Sequence, residues 1–163
     1  MTHYIRQLFF LLALFWLALA SARAAAEAEP MILTATIPGV GMEQAVAALD
    51  RAVVSHNYTF VRQQAIDSRL VPYAQEVRSV RIYYFCNFAK MDRALRIDPR
   101  AAQMLPCRIT LIETPSGVDL MAVNPAWVSL GMGNPLLHAE CLELKADYLA
   151  ILRKRWASIV VIA

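Results

Sequence analysis

Apolar residues recur along the chain with two different periods, and the switch between them predicts the order of the elements. An alternating pattern rich in β-branched and aromatic residues predicts strands at 31–37, 58–66, 77–86, 107–113 and 118–123. Spacings of three and four predict helices at 42–57, 87–97 and 135–156, with a short helical turn at 98–104. Proline, glycine and asparagine mark 67–76, 114–117 and 124–134 as connections.

The order strand-helix-strand-strand-helix-strand-strand-helix is typical of an α+β fold. Because consecutive strands favour hairpins, we predict a largely antiparallel sheet with the helices packed on one face. The last helix carries the clearest apolar seam, with spacings that stay on one side of a helix: Leu137, Cys141, Leu144, Tyr148 and Leu152. We expect this seam to face the core.

The strand at 77–86 has two different faces. One face is predicted to lie on the core and carries Val80, Ile82, Tyr84 and Cys86. The opposite face becomes aromatic near its end, at Tyr83 and Phe85. In the alternative of a structural or interaction protein, these two rings are predicted to be exposed and to contact a partner.

The first 24 residues have the pattern of a cleaved secretion signal. Arg6 supplies the positive charge, an apolar run follows at 8–20, and Ala22-Arg23-Ala24 is a small-x-small cleavage site. This run is shorter than the roughly 20 residues that span a membrane. We therefore expect export to the periplasm with cleavage near Ala24 to Ala26, the alternative being retention as an N-terminal membrane anchor.

Removal of the signal changes the charge of the chain. Of 16 basic residues, Arg6 and Arg23 leave, so 14 remain against 13 acidic residues and the net charge is +1. This balance excludes the basic surface typical of nucleic-acid-binding proteins. We divide the 163 residues into a signal peptide (1–24), a lead-in with the first strand (25–38), one α+β domain (39–156) and a short apolar tail (157–163). The tail is too short to be an integral membrane span.

Cys86 ends one predicted strand and Cys107 begins the next, with 20 residues between them. If the two strands are antiparallel, both cysteines lie at the same end of the sheet; if they are parallel, the cysteines are too far apart for a disulfide. Three interpretations stay open: a structural disulfide in an oxidising compartment, two buried free thiols, and a functional thiol pair.

Cys141 lies in the seam of the last helix, three residues after His138, so both side chains lie on nearly the same face. Together with Cys107 they could bind copper or zinc, although a core position is the simpler explanation of Cys141. Asp98 and Asn134 each precede a proline and are predicted to be structural helix caps.

Three short motifs resemble those of the bacterial family called domain of unknown function 302. They are "FCNF" at 85–88, "DPR" at 98–100 and "LPCRIT" at 105–110. The resemblance extends over roughly 39–156. It implies a compact α+β domain and carries no established activity.

No catalytic motif is recognisable, so the sequence favours a non-enzymatic role without excluding an enzyme. We expect an exported domain that binds a small ligand or a soft metal. One alternative is a thiol-based redox or sulfur-handling protein that uses Cys86 and Cys107, and another is a structural or interaction protein. The sequence requires no cofactor, allows a small molecule or a protein as partner, and leaves the oligomeric state open.

Overall fold

The computed structural model describes residues 29–66 and 79–153. The predicted signal peptide (1–24), the connection predicted at 67–76 and the apolar tail (157–163) lie outside the described residues. The chain divides at Pro30 into two units, and the fold is that of the second unit, Met31–Ala163.

The described residues form five strands, four α-helices and one 3₁₀ helix. The strands are β1 (Ile32–Pro38), β2 (Thr59–Ala65), β3 (Ser79–Cys86), β4 (Cys107–Thr114) and β5 (Gly117–Val123). The α-helices are α1 (Met42–Ser55), α2 (Phe88–Ile97), α3 (Pro125–Leu130) and α4 (Pro135–Arg153), and the 3₁₀ helix is Pro99–Met104. In the described residues no helix is long and apolar enough to cross a membrane.

All five strands belong to one antiparallel sheet in the order β1-β5-β4-β3-β2. α1 packs on β2, β3 and β4, while α4 packs on β1 and on α1. Both helices contribute to one core with the same face of the sheet. The predicted α+β fold with helices on one face of an antiparallel sheet is therefore confirmed.

The core of the sheet lies on the aromatic face of β3. Tyr83 is 1% exposed and Phe85 is fully buried, and both pack in the main core with Ile109 and Leu111 of β4. The prediction that Tyr83 and Phe85 are exposed aromatics for a partner is wrong, because the main core lies on their face. On the face that was predicted to lie on the core, Tyr84 and Cys86 are buried, whereas Val80 and Ile82 are half-buried. Helix α1 brings Leu49 over this side of the sheet, and the large rings fill the space beneath it.

A second, smaller cluster lies beyond the sheet. It combines Ala101 of the 3₁₀ helix with Leu137 and Cys141 of α4. The N-terminal half of α4 therefore packs on the 3₁₀ helix and α2, whereas its C-terminal half packs on the sheet through Tyr148, Ile151 and Leu152. One continuous helix thus joins the two clusters.

Helix α3 occupies part of the segment that the sequence predicted as a connection. The Asn124 side chain accepts a hydrogen bond from Ala126 N (3.0 Å), and Pro125 is the first helical residue. This is the same asparagine-proline signal that opens α4 at Asn134 and Pro135. The helix is only six residues long, so no apolar period was visible in the sequence.

Candidate functional site

The antiparallel pairing of β3 and β4 brings Cys86 and Cys107 to one end of the sheet. Phe85 pairs with Cys107 in the register, so Cys86 lies one residue beyond the paired end. Neighbouring residues of a strand point to opposite faces, so the two cysteines leave the sheet in different directions. Both are free thiols and both are buried.

A cavity at this end of the sheet is lined by all three cysteines. Its volume is about 30 Å³, and Cys86, Cys107 and Cys141 reach it from β3, β4 and α4. Met91 of α2 and Met104 of the 3₁₀ helix add two thioether sulfurs to the same wall. Five sulfur-bearing side chains from five elements thus meet around a cavity that is mainly apolar.

Cys86 and Met91 form the direct sulfur contact in this group. The Cys86 Sγ lies 3.6 Å from the Met91 Sδ. The spacing of five residues spans the change from strand to helix, where Asn87 caps α2 by accepting a hydrogen bond from Lys90 N at 3.0 Å. Asn87 also donates to Asn57 O (3.0 Å), which fixes the turn that places the two sulfurs together.

Cys107 lies near the Tyr148 hydroxyl, which accepts a hydrogen bond from Arg108 N at 3.2 Å. This hydroxyl favours the thiolate form and lowers the pKa of Cys107. Burial nevertheless dominates and raises the pKa of Cys107 to about 11. Cys107 is therefore a neutral thiol at physiological pH.

Cys141 faces a buried hydroxyl at the junction of α3 and α4. Ser129 Oγ donates to Ala126 O (2.9 Å) and lies 2.8 Å from the His138 Nδ1. It also opposes the upward shift that burial gives to the pKa of Cys141. His138 is not among the residues that line the cavity. The structure thus brings Cys141 together with Cys86 and Cys107, but it places His138 in a separate contact with Ser129.

The charged residues at the cavity are paired with one another. The Tyr58 hydroxyl donates to Asp147 Oδ2 at 2.5 Å, and Lys90 forms an ion pair with the same carboxylate. Glu140 accepts two hydrogen bonds from the Arg93 guanidinium, at 2.9 and 3.0 Å. These contacts join Tyr58, which precedes β2, to α2 and α4 beside the cavity, whose lining is mainly apolar.

The electrostatics of the cavity oppose thiol nucleophilicity. Burial raises the pKa of Cys86 and of Cys141 as well as that of Cys107. A reactive thiolate needs a nearby cation or a helix N-terminus to lower its pKa. Cys86 adjoins the N-terminus of α2, yet burial still raises its pKa, and the ammonium of Lys90 is already paired with Asp147. The arrangement is suited to holding a ligand by contact with sulfur rather than to attacking one.

A conventional zinc centre does not form at these residues. Within 29–66 and 79–153, no group of three or more His, Cys, Asp or Glu side chains is placed to hold a metal ion. Structural zinc sites use four such ligands in a tetrahedron.

Asp98 and Asn134 lie next to each other and link the 3₁₀ helix to the start of α4. Asp98 Oδ1 accepts from Arg100 N at 3.0 Å, and Asn134 Oδ1 accepts from the backbone of Leu136 and Leu137. Asn134 Nδ2 donates to Asp98 Oδ2 at 3.3 Å. The two side chains hold together the elements that carry Met104 and Cys141, so their role at the cavity is indirect.

Sequence reasoning missed the two methionines and the polar group of Tyr58, Lys90 and Asp147. For Met91 and Met104 a signal existed, because 86–107 holds two of the three cysteines and two of the seven methionines of the chain. For Tyr58 and Asp147 none existed, because 89 positions separate them and neither belongs to a motif.

Two of the larger hollows on the described surface are open depressions. One of about 300 Å³ lies between α1 and β2, where Glu43 is paired with Arg81 and Asp50 accepts from the Tyr83 hydroxyl at 2.5 Å. Another of about 240 Å³ lies on the outer face of the sheet beside Ile32 and Met121. Neither contains a thiol or a histidine.

Comparison with known proteins identifies the family and the fold. The model of the family described as domain of unknown function DUF302 matches residues 33–154. The crystal structure of an uncharacterized conserved DUF302 protein from Bacillus stearothermophilus has a TM-score of 0.67 and 16% sequence identity, covering 76% of this chain and 97% of that chain. At this identity the likeness shows a shared fold alone. No curated protein matches the chain.

Proposed function

We propose a function for this chain from its own geometry, because it belongs to the DUF302 family, whose fold implies no activity. The chain is a non-catalytic domain that binds a small ligand in the cavity lined by Cys86, Cys107 and Cys141. The single observation that carries the proposal is the meeting of five sulfur-bearing side chains at one cavity. A cysteine that serves only as a core residue needs neither a cavity nor other sulfur atoms beside it.

The walls of the cavity support a preformed site. Cys86 and Cys107 lie at the ends of two paired strands, and Cys141 lies within the longest helix. Two of the lining residues, Tyr58 and Lys90, are held by Asp147 through a hydrogen bond and an ion pair. A site on rigid elements binds without a large ordering cost, which favours a binding role.

The raised pKa values of the three cysteines support a ligand-binding role over the redox alternative. All three are shifted upward by burial, so the thiols remain protonated near neutral pH. Thiol–disulfide exchange starts from a thiolate, so its rate decreases when the fraction of thiolate decreases.

We propose further that the domain acts outside the cytoplasm after removal of residues 1–24. Burial would protect its free thiols from oxidation in that compartment.

A cavity-filling substitution tests the proposed function. Ala101 is 1% exposed and lines the cavity, so Ala101→Val places two extra carbons into it. We expect native mass spectrometry of wild-type protein, purified without air from expressing cells, to show one bound small ligand that Ala101→Val lacks. The matched control is Ala102→Val, because Ala102 lies beside Ala101 in the same 3₁₀ helix and is exposed.

The control is expected to retain the ligand and the wild-type circular dichroism spectrum. If wild-type protein carries no bound mass, or if Ala101→Val retains it while folded, the cavity is not the binding site and the proposed function is wrong.

A further inference from the structure

We infer that the ligand of the sulfur-lined cavity is a single Cu(I) ion, bound by the Cys86 thiolate sulfur and the Met91 thioether sulfur. This inference rests on the proposed function and adds the identity of the ligand and the atoms that bind it. Cys107, Cys141 and Met104 complete an apolar, sulfur-bearing wall around the ion.

The volume of the cavity favours an ion over an organic molecule. About 30 Å³ corresponds to roughly two water molecules when one needs about 10–15 Å³. Pockets for organic ligands are about ten times larger or more, at roughly 300–1,000 Å³. An ion without its water shell fits the space that the side chains leave.

The chemistry of the lining selects the kind of ion. Thiol and thioether sulfurs are soft donors and prefer Cu(I), whereas Mg²⁺ and Ca²⁺ require several oxygen ligands. The one carboxylate in the cavity wall, Glu140, is occupied by Arg93. Zinc would need more ligands of the His, Cys, Asp and Glu type than the described residues bring together. Cu(I) is stable with only two ligands.

The geometry identifies the two binding atoms. Cys86 Sγ and Met91 Sδ are already in contact at 3.6 Å, and Met91 can shift because its side chain has three flexible bonds. Among the described residues, no comparable contact with a second sulfur is present at Cys107 or Cys141. Cys86 and Met91 are therefore the preformed pair of sulfur ligands.

Charge balance agrees with one thiolate and one thioether. Cu(I) replaces the proton of the Cys86 thiol, so a copper–sulfur bond forms, a sulfur–hydrogen bond breaks and one proton leaves to the solvent. Met91 donates a sulfur lone pair and keeps its charge of zero. No atom changes oxidation state, and the resulting centre is neutral, as a mainly apolar cavity requires.

An anaerobic titration tests the inference. The full-length folded protein is titrated with Cu(I), supplied as its acetonitrile complex, against the chromophoric chelator bathocuproine disulfonate. We expect one equivalent to bind, with a new ultraviolet thiolate-to-Cu(I) absorption and the release of one proton per ion. Because the ligand must lose a proton, apparent affinity is expected to fall about tenfold per pH unit on acidification.

Substitutions identify the binding atoms. Cys86→Ser is expected to weaken Cu(I) binding at least 100-fold, and Met91→Leu at least tenfold with the fold kept, because leucine fills a similar volume. Met42→Leu is the matched control, since Met42, the first residue of α1, is buried and does not line the cavity. Equal affinity of wild type, Cys86→Ser and Met91→Leu would contradict the inference, and so would the absence of any bound equivalent.

The outcomes distinguish a failure of the Cu(I) inference from a failure of the proposed binding function. If Cu(I) does not bind but Ala101→Val abolishes another bound mass, the identity of the ligand is wrong and the binding site stands. If Cu(I) does not bind and no ligand depends on Ala101, both proposals are wrong.

Discussion

At the scale of single residues, burial decides the chemistry of the site. Burial raises the pKa of Cys86, Cys107 and Cys141, while Tyr148 opposes that shift at Cys107 and Ser129 opposes it at Cys141. Among the described residues, the sulfur–sulfur contact in this group joins Cys86 to Met91. These differences depend on neighbours that are distant in the sequence, so a cysteine pattern alone could not assign separate roles to them.

The clearest electrostatic effect on a single residue is at Asp98. The Arg100 guanidinium donates to Asp98 Oδ2 at 2.7 Å, and the Arg100 backbone donates to Oδ1 at 3.0 Å. Both favour the carboxylate and hold its pKa well below the ordinary value, which Asn134 lowers further. The folded state therefore binds fewer protons than the unfolded state in the acid range, and its stability falls as the pH drops below about 4.

We predict that Asp98→Asn removes part of this acid sensitivity. The amide oxygen keeps the cap on the 3₁₀ helix but cannot be protonated. The urea midpoint of unfolding should therefore fall less between pH 6 and pH 3 in Asp98→Asn than in wild type. Asp92→Asn, at an exposed position of α2, is the control and should follow the wild-type profile. Parallel profiles for Asp98→Asn and wild type would contradict the prediction.

At the scale of elements, the β4–β5 hairpin depends on a glycine that touches the neighbouring strand. Gly117 has a φ of 147° and pairs with Pro38 at the end of β1. A Cβ atom there would lie 2.2 Å from Ile37 O and 2.9 Å from Pro38 Cα. Both are backbone atoms of β1, so relief of the clash requires the strand itself to move.

We expect Gly117→Ala to lower the free energy of unfolding by more than about 2 kcal/mol, because strain and lost strand pairing add. Gly131→Ala is the matched control. Gly131 has a φ of −68°, and its nearest neighbour would be Val128 O at 3.5 Å, so the change should stay within about 1 kcal/mol. Urea unfolding, monitored by circular dichroism, measures the free energy of unfolding of both variants. Equal values for Gly117→Ala and Gly131→Ala would contradict the prediction, because β1 would then move with little loss of stability.

Elements also show why the core face of β3 was assigned incorrectly. Both faces of 77–86 carry apolar residues, so alternation identifies a strand but does not say which face meets the helices. Residues Tyr83, Tyr84, Phe85 and Cys86 are all buried at the end of the strand. The decision came from α1 and α4, which cover the side of Tyr83 and Phe85. No local pattern in β3 contains that information.

At the scale of the whole molecule, the cavity is a product of chain topology. Cys86 and Cys107 meet because β3 and β4 are antiparallel neighbours, which the sequence predicted as one of two possibilities. Cys141 joins them because α4 extends past the sheet to reach the 3₁₀ helix. The cavity therefore requires the complete described fold, and isolated segments would not form it.

Export is a proposal about the whole chain, and it makes a direct prediction. Processing of the signal should leave a mature protein that begins near Ala24 to Ala26 and lacks Arg6 and Arg23. Intact-mass measurement of the protein from the periplasmic fraction checks this. Replacement of Leu12 by Arg should interrupt the apolar run and keep the precursor in the cytoplasm. A full-length chain in the membrane fraction would instead support the N-terminal anchor.

The sequence by itself determined the order of the elements, the α+β class and the membership of a family, because these follow from periods and motifs within about 20 residues. The tertiary structure decided which face of β3 is buried and which sulfurs share a cavity. Only the tertiary structure reveals the hydrogen bond between Tyr58 and Asp147, which are 89 positions apart in the sequence. The physical reason is that hydrophobic periodicity is a local property of the chain. Contact between side chains is instead selected by how whole elements fit together, and residues far apart in sequence leave no joint pattern in a single chain.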